Sequence, residues 1–424
     1  MVQFMALNAG MRCPDPVRLL NGESLLMHIL IIPSERYLPK DDPLAGIFQQ
    51  HQAQALKRAG YKVGVISPSE RRILSARPKG LIRIEDDQGI PVFRCHGWPI
   101  PCRVQPLLKQ RVRAGRTLFK EYMKQHGKPD LIHAHNAQYA GIIAAEMKRA
   151  WGVPYVLTEH STKYAEGSVP GPELAPIQNA FKNAHKRLVV SPSLGHDLER
   201  AVGEVVWPWQ WVPNILAEQF EKNVPTRETK KRDEASFRFL NIGWLEERKG
   251  QADLLRAFAS QFKERSDVQL RIGGGGPLTQ ELKRLSGELG IGRQVIFLGP
   301  LRQGQVLAEM QACDAFVLAS RYETFGVVLI EVLACGKPVI STACDGPSCV
   351  VRKENGLLVP VRDSVALAEA MATMRSAAHQ YDSDWIRQDC IARFGERAVV
   401  GQLSNVYREV LAAAHNASES SNAS

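Results

Sequence analysis

DAFVLASRYETFGVVLIEVLACGKPVISTACDG, residues 314–346, decides the reading of this chain. Its first apolar run, Ala315 to Ala319, has the length and composition of a buried parallel strand. A polar loop, Ser320 to Thr324, follows, and Gly326 opens a nearly all-apolar segment of helical length, Val327 to Cys335. Gly336 stops that segment, Pro338 follows, and Val339 to Thr342 reads as the next strand. The unit is strand, loop, helix, strand. Its helix has no charged solvent face, which predicts burial on most sides.

Two carboxylates interrupt this apolar context: Glu331 inside the helix and Glu323 in the loop before it. A charge among Val328, Leu329, Ile330, Val332 and Leu333 is costly unless something pairs with it. Two readings are open. In one, Glu331 pairs with an arginine and Glu323 is solvated. In the other, the helix N-terminus binds a phosphate through its unpaired N–H groups and partial positive charge. Glu331, one turn below, then grips a vicinal diol, and Glu323 points at whatever the phosphate carries. The second reading describes a nucleotide-diphosphate site.

The pattern E-T-F-G-x-x-x-x-E, with its carboxylates eight positions apart, resembles the signature of the retaining GT-B glycosyltransferases of family 4, the glycosyl transferases group 1. The surrounding S-R-Y-E-T-F-G-V-V-L-I-E-V-L-A-C-G-K-P-V-I is similar almost residue for residue. The resemblance implies that Glu323 contacts the donor sugar, that the backbone at Phe325, Gly326 and Val327 meets the diphosphate, and that Glu331 binds the ribose hydroxyls. It extends over roughly residues 27–410 and is most specific in this block. The implied fold is α/β of GT-B type: two Rossmann-like, doubly wound domains facing across a cleft.

Length and composition agree with that expectation. A chain of 424 residues, 44% hydrophobic, is long enough for two or three domains with ordinary cores. No apolar run approaches the roughly 18 residues that span a bilayer, and the first residues lack the apolar core of a secretory signal. The eight cysteines form no C-x-x-C pair and read as reduced thiols of a cytoplasmic protein. The net charge of +10 is uneven. Lys and Arg outnumber Asp and Glu by 26 to 17 between Met27 and Phe220, but only by 26 to 25 beyond. The excess suggests an anionic partner for the first half. Lys109, Arg113, Arg116, Lys120 and Lys124 fall on one helical face there, a candidate for an anionic membrane surface at the inner face of the membrane rather than for nucleic acid.

Residues 1–26 show no periodicity and read as a disordered extension. Met27 begins a buried strand, HILIIPS, and Phe48 to Gly60 and Tyr61 to Ser67 complete a parallel strand, helix, strand unit. The run P-L-A-G-I-F-x-x-H-Q-A resembles the first unit of family 4 enzymes, which implies that Gly46 lets the backbone approach the donor diphosphate. Pro129 to His135 reads as a strand ending in H-x-H, with no convincing third metal ligand nearby. Its likeness to the family element places the active-site histidine on His135; His133 is open between that crevice and a structural hydrogen bond. Val153 to Thr158 is a further strand, ending at Glu159-His160 where the ligand crevice of a doubly wound sheet lies.

The first domain is thus expected over 27–220, with a polar linker at 221–236. A second doubly wound domain follows over 237–395. A helix at 396–415 crosses back onto the first domain, and 416–424 form a disordered tail. In the second domain, the cluster Gly273 to Gly276 lets the chain turn beside a ligand, which makes Gly274 and Gly276 donor-binding candidates. Arg248-Lys249-Gly250 matches the family's basic pair, implied to neutralise the leaving diphosphate. Two departures stand out. Trp244 occupies a position where many members carry arginine, and Asp345 to Cys349 lacks a usual acidic residue.

These readings predict a retaining hexosyltransferase that moves a sugar from a nucleotide-diphosphate sugar to a sugar or lipid-linked acceptor, with no metal and no cofactor. Its place would be cell-surface polysaccharide or glycolipid synthesis. The alternatives are a nucleotide-sugar epimerase of GT-B architecture and a non-catalytic nucleotide-sugar-binding protein.

Overall fold

From Met27 through Ile32 every side chain is buried, as a central strand covered on both faces requires. The computed structural model of the chain describes residues 17–20, 23–34, 37, 46–68, 82–95, 104–169, 171–203, 208–223 and 236–422. The strands, in chain order, begin with β1 (Val17–Leu20) and β2 (Glu23–Leu26). The first large sheet holds β3 (His28–Ile32), β4 (Lys62–Ser67), β5 (Ile82–Asp87), β6 (Ile90–Cys95), β7 (Leu131–His135), β8 (Tyr155–Glu159), β9 (Lys186–Val189) and β10 (Gln210–Trp211). The second holds β11 (Phe237–Ile242), β12 (Val268–Gly273), β13 (Val295–Gly299), β14 (Ala315–Leu318), β15 (Val339–Thr342) and β16 (Gly356–Val359).

The first sheet runs β10-β9-β8-β7-β3-β4-β6-β5, parallel except for the antiparallel β5–β6 edge. The second runs β13-β12-β11-β14-β15-β16 and is parallel throughout. Each order reverses direction once, between β3 and β7 in the first sheet and between β11 and β14 in the second. Ligand crevices of doubly wound sheets open at the C-terminal strand ends of such points. Topology therefore directs attention to the loops after β7, β11 and β14.

The Glu396–Asn422 helix returns to the first domain. Val399, Val400, Leu403, Val406 and Tyr407 bury their side chains with β3, β4 and the Ile47–Arg58 helix. Two polar contacts fix its rotation: Tyr61 donates to Ser404 (2.6 Å), and Tyr407 meets His133 (2.6 Å). At the crossing, Arg58 bridges Glu218 (3.0 Å) and Glu396 (2.6 Å), and the Glu396 amide donates to Glu221 (2.9 Å).

Three sequence expectations need correction. Within the supposed disordered extension, β1 and β2 form an antiparallel hairpin. Asn21-Gly22 between them is a strong hairpin signal, too short to register as periodicity. The helix expected to end at 415 runs to Asn422, because no Gly or Pro interrupts residues 402–422 and each added residue contributes one more backbone bond. The linker begins later than 221, since Glu218–Lys222 is helical; residues 224–235 lie outside the described residues.

Among the described residues, β1 and β2 pair only with each other. A chain starting at Met27 is therefore expected to keep its melting temperature and its activity. Thermal denaturation and turnover of the truncated protein check this, and a large loss of either refutes it.

Candidate active site

Beside β14, the site is assembled by glycines that let loops touch. Gly250 has φ 66°, and a Cβ on it would lie 2.0 Å from the carbonyl oxygen of Ala319. Only glycine permits that approach. The Arg321 amide then donates to the Arg248 carbonyl (2.8 Å), and Lys249 Nζ reaches Glu323 at 2.5 Å. Ser320 Oγ donates to the same carboxylate oxygen (2.9 Å). Glu323 is 9% exposed, so the sequence reading of it as merely solvated fails. Arg248 points its guanidinium at Glu246 (2.7 Å) instead.

Gly346 holds the signature from the other side. Its Cβ would fall 2.3 Å from the Phe325 nitrogen, and its amide donates to the Glu323 carbonyl (2.9 Å). Phe325 is buried against Phe394, with ring centroids 5.6 Å apart. Gly326, at φ 88°, opens the Val327–Ala334 helix. No side chain caps that helix and no acidic residue stands in its first turn, so its leading amides are left for a ligand or water.

Glu331 lies one turn along this helix. Among the described residues it has no hydrogen bond and no ion pair, so the arginine reading fails. Burial alone pushes its carboxyl pKa up to about 8. The side chain is half-buried, and a desolvated carboxyl without a partner is costly, which makes it a candidate ligand contact.

The glycine cluster proves to serve loop packing. Gly274 (φ 129°) would put a Cβ 1.9 Å from the Gly243 carbonyl, and Gly276 (φ 156°) one 2.4 Å from that of Leu245. These glycines press the loop after β12 onto the loop after β11, the one that carries Lys249. Trp244, between Gly243 and Leu245 in the loop after β11, is 58% exposed, with its carbonyl held by Gln251.

On the first domain, His133 is structural. Its Nδ1 meets Gln52 (3.1 Å) and Tyr407 (2.6 Å), and its Nε2 meets Thr158 (2.7 Å). His135 is different. Its Nδ1 bonds His160 Nε2 at 2.9 Å, while its buried Nε2 has no partner. Burial, then the neighbouring His133 and His160, hold its pKa well below the usual value, so the ring is neutral. His160 also packs on Phe48, two residues beyond Gly46, with centroids 4.8 Å apart. Gly46 itself takes φ 73° where the Ile47–Arg58 helix begins.

The sequence reading located the group that organises this side at a strand end but gave it no role. Glu159 is fully buried and accepts from the amides of Ala137, His160 and Ser161, each at 2.9 Å. It ties the loops after β7 and β8 together and so fixes His135 against His160. Its place at a strand end was the available signal. No described hydrogen bond joins His135 or Gly46 to Lys249, Glu323 or Glu331. Near Glu323, the domains meet where Tyr322 donates to Asp197 (2.9 Å).

Comparison with known proteins decides the family. The model described as glycosyl transferases group 1 matches residues 225–387, and that described as glycosyltransferase family 4 matches residues 46–215. The chain belongs to the group 1 glycosyltransferases. This glycosyltransferase is 26% identical over 402 residues to a D-inositol 3-phosphate glycosyltransferase of Corynebacterium jeikeium, covering 87% of the chain and 92% of the relative. It is 29% identical over 367 residues to the putative teichuronic acid biosynthesis glycosyltransferase TuaC of Bacillus subtilis, covering 81% and 88%. Sucrose-phosphate synthase from Thermosynechococcus elongatus shares its fold, with a TM-score of 0.72, 24% identity, and coverage of 91% of this chain and all of that one. Anabaena HepE in complex with UDP superimposes with a TM-score of 0.71 at 20% identity, covering 90% and 100%. The fold is GT-B.

Proposed function

We propose that this glycosyltransferase is a retaining hexosyltransferase that uses a nucleotide-diphosphate sugar. The observation that carries the reading is Glu331, a half-buried carboxyl without a partner, one turn below uncapped helix amides, on the helix that follows the loop holding the Lys249–Glu323 pair. The amides at Gly326 and Val327 receive the diphosphate, and Glu331 accepts from the ribose diol. Lys249, with Arg248, takes up the negative charge that grows on the β-phosphate as the glycosidic bond breaks. Glu323, held by Lys249 and Ser320, orients the hexose, and the free Nε2 of neutral His135 serves a sugar hydroxyl.

The retaining outcome rests on the family resemblance. In the front-face course, the bond from the anomeric carbon to the phosphate oxygen breaks and the acceptor oxygen bonds to that carbon on the same side. The acceptor proton passes to the departing phosphate. Leaving-group stabilisation is assigned to the Lys249 and Arg248 cations and the helix end.

The similarity to a protein named for teichuronic acid synthesis supports a cell-surface polysaccharide acceptor. Incubation with a panel of nucleotide-diphosphate sugars and candidate acceptors, reading free nucleoside diphosphate and glycosylated product, tests the activity. Binding without turnover across the panel would leave a binding protein instead. Product linkage by NMR tests retention.

The membrane reading narrows. In the Val104–His126 helix, Lys109, Arg113 and Lys120 are exposed. Arg116 pairs with Glu146 and stacks on Trp151 (5.4 Å), and Lys124 pairs with Glu121 (3.3 Å). No helix among the described residues is long and apolar enough to cross a membrane. With about 1 kcal/mol per cation near an anionic surface, three give weak, salt-sensitive docking. Co-sedimentation with anionic vesicles is expected at low salt, with loss when Lys109, Arg113 and Lys120 are reversed in charge. Failure of the wild type to sediment at low salt rejects a membrane partner.

A further inference from the structure

Asp197 is 3% exposed in the Pro192–Val202 helix, on the face that buries Leu194, Leu198 and Val202. An ionised carboxylate there is costly unless partnered. Within its own domain it is partnered by Arg200, one turn along, whose side chain is largely in solvent. Its second oxygen is turned toward the other domain, where it accepts a hydrogen bond from Tyr322 at 2.9 Å. Tyr322 is half-buried; burial and then the Asp197 carboxylate push its hydroxyl pKa upward, so it remains a donor at any ordinary pH. The next residue is Glu323, whose carboxylate meets Lys249 and Ser320.

The loop between β14 and its helix is thus held from two directions. Inside the donor domain, Arg321 pairs with Glu247 and Asp253, and the Gly346 amide binds the Glu323 carbonyl. From outside, Asp197 reaches across. The inside contacts persist however the domains are arranged. The outside contact requires both domains to be together.

We propose that the Tyr322–Asp197 hydrogen bond is a latch across the cleft, and that both are positioning residues that set Glu323 in its working geometry when the domains close. This rests on the reading of Glu323 as the sugar-orienting carboxylate. Closing the cleft and ordering the catalytic loop become one event. Nucleotide binding, which uses the helix amides and Glu331, lies outside the latch.

The test compares wild type with Tyr322→Phe, Asp197→Ala, the double variant and Asp197→Asn. Amide hydrogen exchange over residues 194–200 and 320–324 is measured without any substrate, and kcat and donor KM with the productive donor. Both segments are expected to exchange faster together in Tyr322→Phe and in Asp197→Ala. Loss of a hydrogen bond to a charged acceptor predicts a kcat reduced at least about 10-fold, with donor KM changed by less than about 3-fold. The double variant should be no worse than either single one, and Asp197→Asn, which keeps an acceptor oxygen, should recover part of the rate. Unchanged exchange in Tyr322→Phe, or additive losses in the double variant, overturns the latch. If no nucleotide sugar is turned over, the proposed activity fails, and exchange still decides whether the two segments are coupled.

Discussion

Lys249→Ala is expected to lower kcat by about 10²- to 10³-fold, the scale seen when one preorganised donor to a developing charge is removed. Nucleoside diphosphate affinity should fall much less, because the charge on the departing phosphate is larger in the transition state than in the bound donor. Lys249 has a second task that enlarges the effect. It is the ion-pair partner of Glu323 at 2.5 Å, and its loss leaves a 9%-exposed carboxylate with Ser320 as its remaining side-chain partner. A buried charge without its counterion is strongly destabilising, so Glu323 would move or take up a proton. The variant Lys249→Ala/Glu323→Gln separates the two tasks: it removes the orphaned charge and should restore loop order without restoring turnover. Steady-state kinetics and calorimetry with nucleoside diphosphate check these expectations. Equal losses in kcat and affinity, or recovery of turnover by an added divalent cation, would sink the leaving-group role. A chelator should leave wild-type turnover unchanged.

Glu331→Ala should weaken nucleoside diphosphate binding at least 10-fold, since hydrogen bonds to a charged group contribute about 1.5–3 kcal/mol. Glu331→Gln separates binding from stability. In the folded, unliganded chain the carboxyl pKa is raised by burial from 4.5 to about 8. Between those values the native state keeps a proton that the unfolded chain has released, so the group's contribution to stability falls as pH rises from 4.5 to about 8. Glutamine carries no such penalty. Glu331→Gln is therefore expected to melt higher than wild type at pH 8, with a gain that shrinks toward pH 5, while binding the nucleotide more weakly. Because a diol donates to the carboxylate, the ligand favours the ionised form. Wild type should release protons on binding near pH 7, seen as a dependence of the calorimetric enthalpy on the buffer's ionisation enthalpy, and Glu331→Gln should not. An unchanged nucleotide affinity in folded Glu331→Gln and Glu331→Ala would remove Glu331 from the site.

The unit around the Val327–Ala334 helix was legible because its signals are local. A glycine that must adopt φ 88°, an uninterrupted apolar run and a carboxylate one turn along it lie within nine residues, so Gly326, the Val327–Ala334 helix and Glu331 could be placed from spacing alone. Alternation of apolar runs with helical patterns likewise determined two parallel sheets, because a buried parallel strand must be apolar on both faces. The resemblance supplied roles for Lys249 and Glu323, but not that they pair.

What only the tertiary structure decided are the partnerships between distant residues. Lys249 and Glu323 are 74 residues apart, Tyr322 and Asp197 125, and His133 and Tyr407 274. Nothing in local spacing distinguishes His133, satisfied by three partners, from His135, left with a free nitrogen two residues later on the same strand. Nor does it show that Gly250, Gly274 and Gly276 are needed because two backbones touch. Local conformation follows from short-range sterics and periodic burial, which the sequence states directly. Whether a buried polar group is satisfied, or left open for a ligand, depends on which distant elements the fold brings within hydrogen-bond reach.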